Sequence, residues 1–277
     1  MELAIYACGG AMTPEAILTR GAPWRWSWLP LLACALRHPE RGVWLIDAPF
    51  GAEGLGALPL HQRVAFGGLG GIRVGAGEGL GARLEALGWE APRGGLLTHG
   101  HFDHVAGMGD VPGLRWQASA AEAALLRDMG DVEALRHGYM GSAWRSRYPV
   151  EGLALDGPAV APFGPCGDLW GDGLVRLIPL PGHSPGHMGL LLRLGQREVF
   201  WCGDAIFQIE HVTGERAPGV FPRGSARDAG RMLETLSLLR RFHAANPEVE
   251  ILCAHDLGLG RRCRAAPLVV DQRSKAS

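Results

Sequence analysis

Four metal-ligating side chains crowd into the six residues His99-Gly100-His101-Phe102-Asp103-His104, directly after an apolar stretch. Neutral imidazoles and carboxylates at this density are the donors that suit zinc and similar divalent ions. Leu96-Leu97-Thr98 reads as the end of a short buried strand after the turn Arg93-Gly94-Gly95. Extended backbone sends alternate side chains to one face, so His99 and His101 reach the same side and can share an ion. Asp103 falls where the chain should turn into a helix, a position at which a carboxylate caps free N–H groups. His104 follows on a different face, and the two are placed for a second ion. The alternative is a polar loop whose histidines merely solvate a turn.

Two ions need more ligands, and the chain offers them where other strands run out. His183 lies in Pro181-Gly182-His183-Ser184-Pro185-Gly186-His187, after the apolar run from Leu174 to Leu180. Asp204 follows Glu198-Val199-Phe200-Trp201-Cys202 and Gly203, a residue that permits close backbone approach. His255 follows Glu250-Ile251-Leu252-Cys253-Ala254. Singly, Asp204 reads as a capped turn and His255 as a partly buried core histidine. Together, four strand ends that each deliver His or Asp donors are hard to attribute to chance. His187 reads as orienting the loop or a ligand through a hydrogen bond, since His183 already fills the metal role.

The ordered set Thr98-His99-x-His101-x-Asp103-His104, Pro181-Gly182-His183, Gly203-Asp204 and His255 resembles the metallo-β-lactamase-fold hydrolases, over roughly Leu31 to Asp256. The resemblance implies an α/β (α+β) fold, the four-layer αββα sandwich, with the metals at one edge. It implies that His99, His101 and His183 hold one ion, that Asp103, His104 and His255 hold the other, and that Asp204 bridges them. Two divalent ions follow, zinc by default, with iron, manganese or cobalt as alternatives. A hydroxide bridging the pair would attack a carbonyl carbon, and Asp103 would pass a proton to the departing alkoxide. Ligands drawn from both halves favour a single domain over residues 1–277. The long interval from His104 to His183 predicts a helical insertion near 118–150.

Within that family, Asp204 argues against a true β-lactamase, whose corresponding class lacks a bridging carboxylate. The region from Leu31 to Asp47, with a turn at His38-Pro39-Glu40-Arg41-Gly42, is similar to the N-acyl-homoserine lactonases. Asp47 matches the aspartate of their Asp-Thr-Gly turn, although here it begins Asp47-Ala48-Pro49. Those enzymes carry a tyrosine where this chain has Phe207, which cannot donate a hydrogen bond. Phe207 is closer to the glyoxalase II pattern, a thioesterase, but glutathione recognition there uses basic C-terminal residues and the only lysine here is Lys275. The expected activity is hydrolysis of a small-molecule carboxylic ester, foremost a lactone. Thioester or phosphoester hydrolysis on the same centre is the alternative, and a non-catalytic metal-binding protein a third.

Trp24, Trp26 and Trp28 alternate between Pro23 and Pro30. They read either as a half-buried strand or hairpin, or, with Phe207, as an apolar wall over the metal cleft that binds substrate. A formal net charge of −1 gives no electrostatic footprint for nucleic acid. Six scattered cysteines without a Cys-x-x-Cys pair fit reduced thiols in a cytoplasmic enzyme. Leu31-Leu32-Ala33-Cys34 resembles a lipoprotein cleavage site, but Pro30 interrupts it and the residues serve better as a strand. No apolar run spans a bilayer, and a homodimer is the fold-level expectation. Helical spacing is expected over Gly79 to Trp89 and Ala226 to His243, with Met232, Leu233, Leu236, Leu239 and Phe242 as the buried stripe.

Overall fold

The computed structural model describes residues 1–58, 60–64 and 71–270; the tail Asp271–Ser277, for which the sequence predicts fraying, lies outside them. Two long strands, β1 (Glu2–Pro14) and β2 (Trp26–His38), pair antiparallel and begin the first sheet. β3 (Gly42–Ile46) follows through the expected turn, in which His38 Nδ1 accepts the backbone N–H groups of Glu40 and Arg41. β4 (Ile72–Arg73) pairs with β1. β5 (Gly94–Leu96), β6 (Trp116–Ser119) and β7 (Val150–Leu153) extend the sheet in parallel from β3. Between β6 and β7 lie helices Ala120–Asp128, Asp131–Arg136 and Ser142–Arg147.

The second sheet comprises β8 (Gly167–Asp168), β9 (Val175–Pro179), β10 (Met188–Leu194), β11 (Arg197–Trp201) and β12 (Glu250–Leu252). Its order is β12-β11-β10-β9-β8. β13 (Leu268–Val270) returns to the first sheet beside β1.

Burial on both faces of the first sheet explains why its strands read as continuous apolar runs rather than alternating ones. Leu32, Cys34 and Leu36 of β2 meet Leu190, Leu192 and Trp201 in the space between the sheets. Leu31, Ala33 and Ala35 face the other way and pack with Phe50, Leu80 and Val105. Each fully buried leucine contributes roughly 1.5–3 kcal/mol, so this inter-sheet core is the main force pressing the layers together. Helix Ala229–Ala245 covers the outside of the second sheet through Leu236, Leu239 and Phe242, packed with Ile178, Leu180 and Phe200. Helix Leu80–Leu87 lies outside the first. The result is the four-layer αββα sandwich.

Two local expectations need correcting. Leu233 is 40% exposed, and Thr235 takes the buried place instead. The stripe centres on Leu236 and Leu239, and Leu233 lies about a quarter-turn off that line. Asp103 does not cap a helix from outside; it sits within the first turn of helix Phe102–Val105, whose N-cap is His101. Leu31 to Cys34 lies wholly buried in mid-strand, as a strand reading requires. Among the described residues, no helix is long and apolar enough to cross a membrane.

Candidate metal centre

β3, β5, β9, β11 and β12 all run out at one edge of the sandwich, and each is followed within a few residues by a polar side chain of the centre. β5 leads into His99, His101, Asp103 and His104, β9 into His183, β11 into Asp204 and β12 into His255. Gly203 adopts φ +50°, and a Cβ there would come within 2.9 Å of His187 Nε2 and 3.0 Å of Thr98. Only glycine lets the chain deliver Asp204 so tightly against the first sheet.

The side chains form two groups, His99/His101/His183 and Asp103/His104/Asp204/His255, in each of which the donor atoms lie within 4.8 Å of one another. Asp204 reaches both. Its Oδ2 is 3.1 Å from His255 Nε2 and 3.3 Å from His183 Nε2, and its Oδ1 is 3.3 Å from His104 Nε2. His183 Nε2 lies 2.9 Å from His101 Nδ1, and Asp103 Oδ2 lies 3.6 Å from His255 Nε2. His99 Nε2 is buried without a hydrogen-bond partner, and His104 Nε2 and Asp204 Oδ1, 3.3 Å apart, form no well-aligned hydrogen bond. An unpaired buried polar atom costs about 1–3 kcal/mol, yet here several converge. That is a donor set shaped for two cations: a dinuclear metal-binding site.

At His99, His104 and His255 the other ring nitrogen is held by the fold, which fixes the atom each of these imidazoles presents. Buried Asp47, at the end of β3, accepts from Thr98 N–H at 2.7 Å and Thr98 Oγ1 at 2.9 Å, and lies 2.9 Å from His104 Nδ1. His255 Nδ1 lies 2.8 Å from the Pro30 carbonyl of β2, and Gln208 Nε2 donates to the His255 carbonyl at 2.7 Å. His187 Nε2 accepts the Asp204 backbone N–H at 3.1 Å, the orienting contact its position implied. Gln208 and the Pro30 carbonyl carried no recognisable signal in the sequence.

Charge divides the two groups. Burial, reinforced by neighbouring imidazoles, holds His99 and His101 well below the usual histidine range and takes His183 down to about 4. Burial also pushes on His104 and His255, but Asp204 overcomes it at both and leaves them raised, His104 strongly so with Asp47 assisting. Without cations, the first group therefore favours the neutral, donating form, whereas the neighbouring carboxylates favour a proton on His104. Loading the second group must expel that proton, so its affinity should fall as the pH is lowered while the first group keeps its affinity to lower pH. Calorimetric titration of the metal-free protein with Zn²⁺ in buffers of different ionisation enthalpy should find proton release confined to one of the two binding events.

The centre forms the floor of a cavity of about 650 Å³. Met12, Trp24, Trp26, Ile72 and Phe221 form apolar walls, and Arg136 and His137 line it from the segment between β6 and β7. Phe207 is buried, its ring 4.8 Å from His255 and 5.8 Å from His183. Trp24 and Trp26 are 71% and 58% exposed, whereas Trp28 is not among the described residues lining the cavity. Trp28 packs instead against the inter-sheet core and beneath the Arg264 guanidinium. Cys202 and Cys253 are fully buried core thiols outside both donor groups, with burial raising them well above the usual thiol range.

The sequence profile of the Metallo-beta-lactamase superfamily matches residues 39–255. "Probable metallo-hydrolase Rv2300c" of Mycobacterium tuberculosis is 32% identical over 207 residues, 66% of this chain and 61% of that protein. N-acyl homoserine lactonase AttM of Rhizobium radiobacter is 26% identical over 179 residues, covering 62% of this chain and 61% of the other. The match thus spans about 61% of the length of each of these relatives. Among solved structures, a variant of AiiA from B. thuringiensis with N-decanoyl-L-homoserine at its active site superposes with TM-score 0.70 at 20% identity, covering 95% of this chain and 96% of the other. At that identity the likeness is one of fold.

Proposed function

Because the chain belongs to the metallo-beta-lactamase superfamily, we propose that it is a dinuclear metal-dependent hydrolase of carboxylic esters, foremost lactones with an apolar acyl arm. The observation that carries the reading is the pair of His/Asp donor groups opening into a largely apolar cavity. Zinc is the proposed metal, since imidazole nitrogens with a few carboxylates suit it. When bound, divalent cations supply Lewis acidity toward a carbonyl oxygen and bring the pKa of water toward neutrality.

The chain's own residues do the rest. Asp204 stands between the two groups and holds their spacing. Asp103 is the most exposed donor at 16%, and burial raises its carboxyl above the ordinary range. It faces the cavity and is the group we assign to carry a proton to the departing alkoxide. Phe207 excludes water beside His255 and offers no hydrogen bond. Trp24 and Trp26 receive the acyl arm. The helical segment within 118–150, read as an insertion into one hydrolase domain, shapes the entrance through Arg136 and His137. Six buried, unbridged cysteines support a cytoplasmic location.

Turnover should disappear with a chelator and return with added Zn²⁺. A panel of lactones of graded acyl length, linear esters, thioesters and phosphoesters should show lactones turned over most efficiently, and absence of lactone turnover would overturn the assignment. Replacing both Trp24 and Trp26 with alanine should raise KM for a long-chain lactone about tenfold, the equivalent of about 1.4 kcal/mol of lost apolar contact, with kcat within about threefold. Trp28→Ala should lower Tm and leave KM alone. Equal KM effects at all three positions would refute the division of roles.

A further inference from the structure

Glu122 stands outside both donor groups yet touches the two loops that deliver the first of them. It is fully buried in the first turn of helix Ala120–Asp128. Its Oε1 accepts the Gly100 N–H at 2.9 Å and faces the Tyr139 hydroxyl at 3.4 Å. Its Oε2 accepts the Ser184 hydroxyl at 2.6 Å and the Gly186 N–H at 3.1 Å. Gly100 is the residue between His99 and His101, Ser184 follows His183, and Gly186 precedes His187, which holds the Asp204 backbone. The two loops follow strands of different sheets, β5 and β9.

A helix cap does not account for this arrangement. Ser119 Oγ accepts the Glu122 backbone N–H at 3.1 Å, as an N-cap should. The carboxylate, however, goes to the loops instead of returning to the cap residue. Contact is close enough to fix the spacing: a Cβ on Gly186 would lie 2.2 Å from the Glu122 backbone nitrogen, and one on Gly100 would lie 2.4 Å from Leu126. The Ser119 hydroxyl adds a bond to the Gly186 carbonyl.

We infer that Glu122 is a positioning residue for the His99/His101/His183 group, its single carboxylate tying together two loops from opposite sheets and so setting the distance from His183 to the other two imidazoles. The inference rests on reading that group as a cation site. Metal affinity depends on donor placement to about 0.2 Å, and loss of a residue that orients ligands typically weakens binding about 10–100-fold.

In Glu122→Gln, one oxygen becomes an amide nitrogen that cannot accept the N–H it meets. The test uses full-length wild type, Glu122→Gln and Ser184→Ala, stripped of metal and titrated with Co²⁺ by visible absorption and with Zn²⁺ against a chromophoric chelator. Thermal melts of each metal-free protein run alongside. Glu122→Gln should raise Kd at one of the two sites about 10–100-fold and change the other less than about threefold, with an altered Co²⁺ spectrum. Ser184→Ala should shift the same site in the same direction. A lowered Tm with both affinities and the spectrum unchanged would reduce Glu122 to a structural role and overturn the inference. Should Glu122→Gln fail to fold, unchanged affinities in Ser184→Ala would do the same. Wild type that takes up fewer than two ions would instead sink the metal-centre reading itself.

Discussion

Asp204→Asn is expected to lower kcat/KM about 1,000-fold and to leave the protein with fewer than two bound cations. The carboxylate contacts His255 Nε2 at 3.1 Å, His183 Nε2 at 3.3 Å and His104 Nε2 at 3.3 Å, so it serves both donor groups at once. An asparagine of the same shape keeps one acceptor oxygen, but it loses the negative charge and turns an N–H₂ toward imidazole nitrogens. A thousandfold loss corresponds to about 4 kcal/mol of transition-state stabilisation, a reasonable cost for removing the one charge that faces both groups in a buried site. The measurement pairs steady-state kinetics on a lactone with elemental analysis of the same sample. Two ions per chain and near-normal turnover would show that Asp204 does not join the groups.

Asp47→Ala should lower stability by about 3–5 kcal/mol, the usual effect of breaking a buried charged pair from one side. Its two oxygens serve the Thr98 N–H, the Thr98 hydroxyl and His104 Nδ1. Removing them leaves the buried Thr98 N–H and His104 Nδ1 without their partner, and the Thr98 hydroxyl with His99 Nδ1 alone, at the head of the ligand loop. The backbone compounds the effect, because Asp47 adopts φ +63°, a conformation that asparagine and aspartate tolerate better than alanine. Asp47→Asn should therefore recover part of the loss by keeping an acceptor for the Thr98 N–H, yet still bind cations weakly because His104 is no longer held. Melting of metal-free and Zn²⁺-loaded forms measures both effects. Identical melts for alanine and wild type would show that Asp47 is not what fixes His104.

The centre was legible in the sequence because its residue types are rare in combination and each follows an apolar strand. Position after a strand end is local information, and it survives folding. What escaped was information that depends on tertiary partners. β1 has no alternation to betray it, since Leu3 to Cys8 is buried on both faces. Glu122 sits in an ordinary Ser-x-x-Glu helix start, and nothing local says that its carboxylate leaves the helix for two distant loops. Trp24, Trp26 and Trp28 share a spacing but not an environment: the first two line the cavity and the third, half-buried, packs against the inter-sheet core. Arg136 and His137 reach the cavity only because helix Asp131–Arg136 folds back over it.

The donors hang from both sheets. His99, His101, Asp103 and His104 depend on the first; His183, Asp204 and His255 depend on the second. Neither sheet alone owns a complete cage, and about 150 residues separate His104 from His255. Each cage is complete only where the two halves of the sandwich meet. A cation seated in either group would therefore bridge the two sheets and rivet the seam between them.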